Sequence, residues 1–226
     1  MRSQPKRTVA TKSKNSAERG RILTSEACMA EGAAWLARAE PRFAYAIELC
    51  GVPPLRRRPD GFAQLLQAIV SQQVSTHAAR AIWERMETAG LTEPAAILAA
   101  DDAALRAPGL SRQKLRYARA LAEAGIDFER LREAPDTEVV TTLTAVAGIG
   151  RWTAEIYAMF SLGRADVFAP GDLALQESAR RLFNLPDRPR EAALRRMAEA
   201  WSPWRSVAAG LLWVYYRAET NREGIT

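Results

Sequence analysis

From Ser25 onward, apolar residues recur every three or four positions, the spacing of one buried face of an α-helix. One such face follows Asp60, the predicted N-cap, and consists of Phe62, Leu65, Leu66, Ile69 and Val70. Alternating strand patterns and the hairpin dipeptides that join them are not found in the sequence. The predicted fold class is therefore all-α, with many helices of about 8–14 residues joined by short connections.

Polar and turn-forming residues mark where these helices begin and end. The polar stretch 71–76 separates the helix after Asp60 from a second helix, which Gly90 is predicted to end. Three further helix starts are predicted at Thr92, Asp101 and Ser111, which are favoured N-cap residues.

The stretch "LTAVAGIGRWTAEIYAMF", residues 143–160, predicts two helices that are separated by a very short break. One helix is expected over about 136–145 and the next over 151–162. Gly148 and Gly150 allow positive φ and close approach of a partner to the backbone. Amides that point outward at a helix N-terminus suit a phosphate group. An ordinary turn between two helices is the alternative that two glycines alone leave open.

A carboxylate follows this hairpin, at Asp172 in "APGDLAL". It comes after Pro170-Gly171 and before a helix predicted over 173–183, so it has the position of an N-cap. Most aspartates in that position only cap a helix. A chemical role for Asp172 therefore needs the motifs around it.

The net charge of +6 is concentrated in the first residues of the chain. Residues 1–23 hold seven basic side chains and one acidic one, and the remaining charges cancel. We predict that residues 1–24 form a disordered basic tail. Such a tail is compatible with a phosphate-binding arm, a solubilising extension or, less well, an organellar transit peptide. Any specific affinity of the folded part for DNA must then come from local geometry.

Composition excludes several classes of site. Two cysteines cannot form a four-thiolate metal or iron–sulfur site, and one histidine, His77, leaves almost no material for a catalytic triad. The sequence contains no apolar run long enough to span a bilayer and no signal peptide near Met1, so we expect a cytoplasmic protein. His77 is expected to be a helix-surface or packing residue rather than a catalyst.

Taken together, "GIG", "WTA", "DVF" and "GDL" resemble the helix-hairpin-helix/Gly-Pro-Asp DNA glycosylases. Three more segments resemble their 3-methyladenine DNA glycosylase II branch, namely "FAQLLQAIVSQQVSTHAAR", "APGLSRQKLRYARALA" and "WSPWRSVAAGLLWVYYR". The resemblance covers roughly residues 43–217. Ala147 stands where many relatives have proline, and the length fits the compact form without an extra N-terminal β-rich domain.

The resemblance implies a function and its residues. Asp172 is the matching catalytic carboxylate, which stabilises the cationic sugar formed as the base leaves or orients the attacking water. Trp152 and Trp213 are the implied walls of the base pocket, where an alkylated, positively charged purine would stack. Trp83, Trp201 and Trp204 are expected in the core. A pocket of two tryptophans, with no evident Asn or Gln for a uracil edge, argues against uracil removal.

Relatives that also cut the strand carry a lysine directly after "GIGR", and this chain has Trp152 there. Tryptophan cannot form a Schiff base, and Lys114, the only lysine after residue 14, lies in a different segment. We therefore expect a monofunctional enzyme that leaves an abasic site and uses no redox or organic cofactor. By resemblance, the hairpin holds Na⁺ or K⁺ at the backbone carbonyls of Val146 and Gly148.

The resemblance implies that the partner is double-stranded DNA with a damaged base, bound by a monomer, and that the protein is associated with the bacterial nucleoid. The implied DNA-contacting residues of the hairpin are Gly148, Ile149, Gly150 and Thr153. Gln73, and after it Gln72, is the candidate wedge that fills the gap left by the flipped base. Gly109 and Ser111 begin a second turn that suits a phosphate.

We expect two helical lobes with a cleft between them. Residues 60–170 would form the lobe that contains the helix-hairpin-helix (about 136–162), and residues 25–59 and 171–226 the other. Two alternatives remain: removal of deaminated or oxidised bases on the same scaffold, and a non-catalytic DNA-binding module.

Overall fold

The computed structural model describes residues 19–220. Most of the predicted tail, residues 1–18, therefore lies outside the described part of the chain. Within residues 19–220 the chain forms thirteen α-helices and one 3₁₀-helix, Ala198–Trp201. The helices are α1 Glu26–Ala39, α2 Pro41–Cys50, α3 Phe62–Ser71, α4 Thr76–Thr88, α5 Pro94–Ala99, α6 Asp102–Arg106, α7 Arg112–Glu123, α8 Phe128–Glu133, α9 Asp136–Thr144, α10 Arg151–Phe160, α11 Leu173–Leu182, α12 Glu191–Met197 and α13 Arg205–Thr220.

The all-α fold is confirmed. Between residues 19 and 220 the only β-type pairing is an isolated bridge between Ile22 and Arg164. This bridge corrects part of the tail prediction. The Leu23 amide donates to the Gly163 carbonyl (2.7 Å) and the Ala165 amide to the Arg21 carbonyl (3.0 Å). Residues 19–24 are thus ordered, because their backbone pairs with 163–165 and Leu23 is buried.

Two predicted helix starts are confirmed and two are wrong. Asp101 and Ser111 cap α6 and α7, and their side chains accept backbone amides. The N-cap of α5 is Glu93 rather than Thr92. Gly61, not Asp60, is the N-cap of α3, because the Asp60 carboxylate instead pairs with Arg132, Nε to Oδ2 at 2.6 Å.

The helices that pack against one another fall into three sets. Helices α1, α2, α11 and α13 pack against one another, whereas α3 packs with α4 and α7, and α9 with α10. Trp201 and Trp204 are buried as predicted, while Trp83 is only half-buried and donates to Glu87. The segment 161–172 connects α10 to α11, and this connection positions the site. The lobe boundaries at 59/60 and 170/171 stay predictions.

No helix within residues 19–220 has the length and apolar character needed to cross a membrane.

Candidate active site

Asp172 both caps α11 and carries a hydrogen-bonded carboxylate. Its Oδ1 atom accepts the Leu175 amide at 3.0 Å, which is the N-cap bond. The same Oδ1 accepts the indole N–H of Trp213 at 3.3 Å, and Oδ2 accepts the indole N–H of Trp152, also at 3.3 Å. Three donors therefore fix the orientation of one carboxylate, far more than capping requires.

The loop before Asp172 is held from behind. The side-chain amide of Gln176, one turn into α11, donates to the Pro170 carbonyl at 2.8 Å. The Asp172 amide donates to the Ala169 carbonyl at 3.0 Å. Both Gln176 and Asp172 are buried, so the Pro170-Gly171 turn presents the carboxylate on a backbone with little freedom.

The two tryptophans at Asp172 have different surroundings. The Trp213 ring is buried and stacks on Phe160, with centroids 5.6 Å apart. It lines a small cavity of about 40 Å³, together with residues of α1 and of the loop 53–56. Trp152 is 42% exposed and lines a larger cavity of about 220 Å³. Of the two predicted walls of the base pocket, Trp152 fits that role directly, and Trp213 mainly supports the carboxylate.

The larger cavity lies between α3 and α10. Thr153, predicted as a DNA-contacting residue, lines it beside Trp152. Tyr157 lines it one turn further on, and its hydroxyl accepts the Gly61 amide at 2.8 Å. Burial raises the pKa of Tyr157 to about 12, so this phenol stays neutral at physiological pH.

Polar side chains that sequence reasoning missed also line this cavity. They are Arg58, Gln64 and Gln67. The Arg58 guanidinium lies 5.1 Å from the Phe160 ring centroid, and its pKa is lowered by burial and, secondarily, by nearby Arg56. The two glutamines overturn the argument that this chain lacks amide partners for a base edge. Gln64 and Gln67 are three residues apart on α3, and this spacing is the only sequence signal that they share a helix face. Nothing in the sequence predicts that Arg58 lines the same cavity.

The hairpin lies between α9 and α10, as the glycines predicted. Gly148 has φ +94°, and a Cβ there would lie 2.3 Å from Cγ of Tyr117 on α7. Gly150 differs from that prediction: as the N-cap of α10 it has φ −79°, and nothing lies within 4 Å of a Cβ built on it. Gly148 is therefore required by the fold, whereas Gly150 leaves open space in front of the first turn of α10.

Ile149 anchors the hairpin from inside. Its side chain is buried, and its amide donates to the Val146 carbonyl at 3.1 Å. The Ile149 amide is thus already hydrogen-bonded within the hairpin. The first-turn amides of α10 differ, because the N-cap Gly150 has no side chain that could accept them. Those amides are the ones that suit an anion.

The two carbonyls predicted to hold a monovalent cation each accept one hydrogen bond. The Val146 carbonyl accepts the Ile149 amide, and the Gly148 carbonyl accepts Nε2 of Gln72 at 2.8 Å. A carbonyl oxygen has two lone pairs, so each retains one that fits Na⁺ or K⁺. The cation stays a prediction. Among residues 19–220, no group of three or more His, Cys, Asp or Glu side chains is arranged to hold a metal.

The predicted wedge residues occupy the turn between α3 and α4. Gln73 is exposed and has φ +56°, one of two non-glycine residues in the described range with positive φ. Gln72 is half-buried, and its side chain is directed to the hairpin. The structure therefore separates the two candidates, with Gln73 at the surface and Gln72 tied to Gly148.

The second predicted phosphate-binding turn is also adjacent. Ser111 uses its hydroxyl to accept the Lys114 amide, and both Gly109 and Ser111 are exposed. On the same helix, Lys114 is buried and donates from Nζ to the Val70 carbonyl at 2.6 Å. Burial lowers its pKa. His77 is on the surface of α4, as predicted.

Comparison with known proteins agrees with this geometry. Residues 66–204 match the family described as HhH-GPD superfamily base excision DNA repair protein. DNA-3-methyladenine glycosylase 1 of Schizosaccharomyces pombe is 32% identical over 165 residues, which is 69% of this chain and 72% of that protein.

Two solved structures share the fold. The DNA-3-methyladenine glycosidase of Bacillus halodurans superposes with a TM-score of 0.74 at 36% identity, over 82% of this chain and 88% of that one. The 3-methyladenine DNA glycosylase of Schizosaccharomyces pombe, in complex with abasic DNA, gives 0.69 at 28% identity, over 83% and 95%.

Proposed function

Because the chain belongs to the HhH-GPD superfamily of base excision DNA repair proteins and is a DNA glycosylase related to the 3-methyladenine enzymes, we propose that it removes alkylated purines of the 3-methyladenine type from duplex DNA. The observation that carries this proposal is the contact between Asp172 and Trp152, at 3.3 Å. It joins a positioned carboxylate to an exposed indole on the wall of a cavity.

Positive charge develops on the sugar as an N-glycosidic bond is hydrolysed. A carboxylate held in a fixed position stabilises this charge. Asp172 meets that need: Trp213 and Leu175 occupy Oδ1, while Oδ2 has one indole donor and retains further lone pairs. In our proposal the free side of Oδ2 faces the sugar or the attacking water. The hydrogen bonds keep the carboxylate from rotating away as charge develops.

An alkylated purine such as 3-methyladenine already carries a positive charge and leaves without a strong general acid. The flipped base would enter the cavity beside Trp152, whose π-face attracts a cation by about 0.5–2 kcal/mol. Trp213 has one face against Phe160, so we assign the stacking role to Trp152.

The proposed enzyme is monofunctional. The position that carries a lysine in strand-cutting relatives holds Trp152, and Lys114 is buried against the Val70 carbonyl. To attack the sugar of a base held at Trp152, the Lys114 amine would have to break its hydrogen bond to the Val70 carbonyl. The product is then an abasic site in an uncut strand.

DNA is the partner, and we propose that a monomer binds it through its backbone. The first-turn amides of α10 and the turn at Gly109–Ser111 would each receive a phosphate. Gln73 would enter the minor groove and fill the space of the extruded base. Backbone contacts carry no sequence information, which suits an enzyme that must find a damaged base in any sequence.

A second candidate, the removal of neutral deaminated or oxidised bases, is favoured by Arg58, Gln64 and Gln67 on the cavity wall. These side chains can donate to the carbonyl oxygens that such bases carry. The same amides serve an alkylated guanine, which has a carbonyl as well.

A panel of duplexes, each with one lesion, tests the proposal. Base release is measured in single turnovers for 3-methyladenine, 7-methylguanine, hypoxanthine, uracil and 8-oxoguanine. The proposal expects the alkylated purines to be released fastest. Faster release of uracil or 8-oxoguanine than of both alkylated purines would contradict it in favour of the second candidate.

A further inference from the structure

Gln72 joins two parts of the molecule that lie far apart in sequence. It is the C-cap of α3, so its backbone begins the turn that carries Gln73. Its side-chain Nε2 donates to the Gly148 carbonyl at 2.8 Å, across 76 positions. Of the described residues, Gly148 is also the glycine whose added Cβ would strike Tyr117. The acceptor therefore sits on a backbone that cannot shift easily.

The same turn is supported from its other side by Lys114. The Lys114 ammonium lies in the interior and donates to the Val70 carbonyl at 2.6 Å, in the last turn of α3. A cation at a helix C-terminus also interacts favourably with the helix dipole. Lys114 belongs to α7, which begins at the Ser111 turn and carries Tyr117. The end of α3 is thus connected to both predicted phosphate-binding elements.

Gln73 has a conformation that needs such support. A non-glycine residue at φ +56° is uncommon and costs free energy, so the surroundings must hold it. The side chain is exposed, so its own contacts do not fix it. The neighbouring Gln72 side chain ties the turn to the hairpin through its hydrogen bond to the Gly148 carbonyl.

We propose that Gln72 is a positioning residue, because its hydrogen bond to the Gly148 carbonyl holds Gln73 at a fixed distance from the phosphate-binding hairpin. When the hairpin binds the DNA backbone, Gln73 is then also brought to the base pair. This inference rests on the proposed function. A turn that is held in place before binding loses less conformational freedom when its side chain enters the helix. Gln72 therefore promotes base extrusion without touching the base pair itself.

The test uses Gln72→Met, which keeps the side-chain length and removes the donor. Single-turnover release of one alkylated purine is measured from a duplex and from the same strand unpaired, where no extrusion is needed. One hydrogen bond contributes about 0.5–1.5 kcal/mol, so the rate on the duplex should fall by about 2- to 12-fold. The rate on the unpaired strand should fall by a smaller factor than the rate on the duplex, because only the duplex requires extrusion.

A double-mutant cycle with Gln73→Ala shows whether Gln72 acts through Gln73. We expect Gln72→Met to add no further loss on the duplex once Gln73 is alanine, because the turn then has nothing to position. Additive losses would overturn the proposal. Equal losses on the duplex and the unpaired strand would overturn it as well, since Gln72 also lines the base cavity and would then act there.

Failure of the proposed function is a separate outcome. A wild-type protein that releases no base from either substrate contradicts that function. Extrusion is then followed through the fluorescence of 2-aminopurine placed beside the lesion, with protein concentration raised until all DNA is bound. A weaker fluorescence increase with Gln72→Met than with the wild type supports positioning, and equal increases overturn it.

Discussion

The indole Nε1 of Trp152 lies 3.3 Å from Oδ2 of Asp172, although the residues are 20 positions apart. The contact joins the helix after the hairpin to the loop before α11. It also places a hydrogen-bond donor where strand-cutting relatives, by the resemblance in sequence, carry an amine. One residue thus lines the larger cavity and helps to orient the carboxylate.

Two variants separate these roles of Trp152. Trp152→Phe keeps an aromatic face and loses the N–H donor, whereas Trp152→Ala loses both. Cation–π attraction of about 0.5–2 kcal/mol predicts that Trp152→Ala releases cationic 7-methylguanine about 2- to 30-fold more slowly than Trp152→Phe. Single-turnover release at saturating protein measures this ratio. Equal rates for the two variants would show that the ring face does not hold the base.

The two hairpin glycines are expected to respond differently to alanine. Gly148→Ala places a Cβ 2.3 Å from Tyr117 at φ +94°, which costs at least about 1 kcal/mol. Its unfolding midpoint should fall by about 2–4 °C for each kcal/mol lost. Gly150→Ala meets open space, so its midpoint should stay within about 2 °C of the wild type, which corresponds to the bound of roughly 0.5 kcal/mol on surface substitutions.

DNA binding gives the complementary result. A methyl group at Gly150 stands in front of the α10 amides, so Gly150→Ala should bind duplex DNA more weakly while remaining as stable as the wild type. Fluorescence anisotropy with labelled duplex measures this. Unchanged affinity in Gly150→Ala would mean that the phosphate lies elsewhere.

Borohydride trapping tests the absence of lyase chemistry. A Schiff base between an amine and the abasic sugar would be reduced to a stable protein–DNA adduct. We expect no adduct during base release, and strand breaks only after alkali, because Trp152 has no amine and Lys114 is held at Val70. An adduct that maps to Lys114 would contradict this account.

The two cysteines should differ in reactivity. The hydrogen bond from the Ser25 hydroxyl, together with bonds from Thr24, lowers the pKa of Cys28 to about 7. Burial, and then Glu219, raises the pKa of Cys50. The thiolate is the reactive form, so iodoacetamide at pH 7 should modify Cys28 first, with a rate that rises from pH 6 to 8, about one unit on each side of that pKa.

Mass spectrometry of peptides quantifies the labelling. Ser25→Ala is the matched control and should shift the Cys28 profile to higher pH, because it removes the donor to the thiolate. Faster labelling of Cys50 than of Cys28 at pH 7 would show that the Ser25 contact does not govern the thiol.

Local signals in the sequence were sufficient for the helices and for Asp172. Apolar spacing predicted the all-α fold, and the Pro-Gly turn placed Asp172 at the start of α11, where it is found. The cap does not exclude the proposed chemical role of Asp172, because Oδ1 accepts the Leu175 amide while Oδ2 accepts the Trp152 indole N–H.

The long-range contacts could not be predicted from the sequence. The Gln72 amide and the Gly148 carbonyl are ordinary polar groups whose partners depend on how α3 packs against the hairpin. Aspartate is a favoured N-cap residue, yet the Asp60 carboxylate forms an ion pair with Arg132, which belongs to a helix distant in sequence. Arg58 lies in a loop without periodicity, so only the folded chain shows that it lines the larger cavity.

The most direct test of the central claim compares Asp172→Asn with the wild type on one duplex that contains 7-methylguanine. Base release in single turnovers and DNA affinity by anisotropy are measured on the same protein preparations. The neutral amide keeps the size of the carboxylate and cannot stabilise the cationic sugar, so release should fall by about 10²–10³-fold with affinity essentially unchanged. Release by Asp172→Asn within a few-fold of the wild type would contradict the claim that this carboxylate performs the reaction.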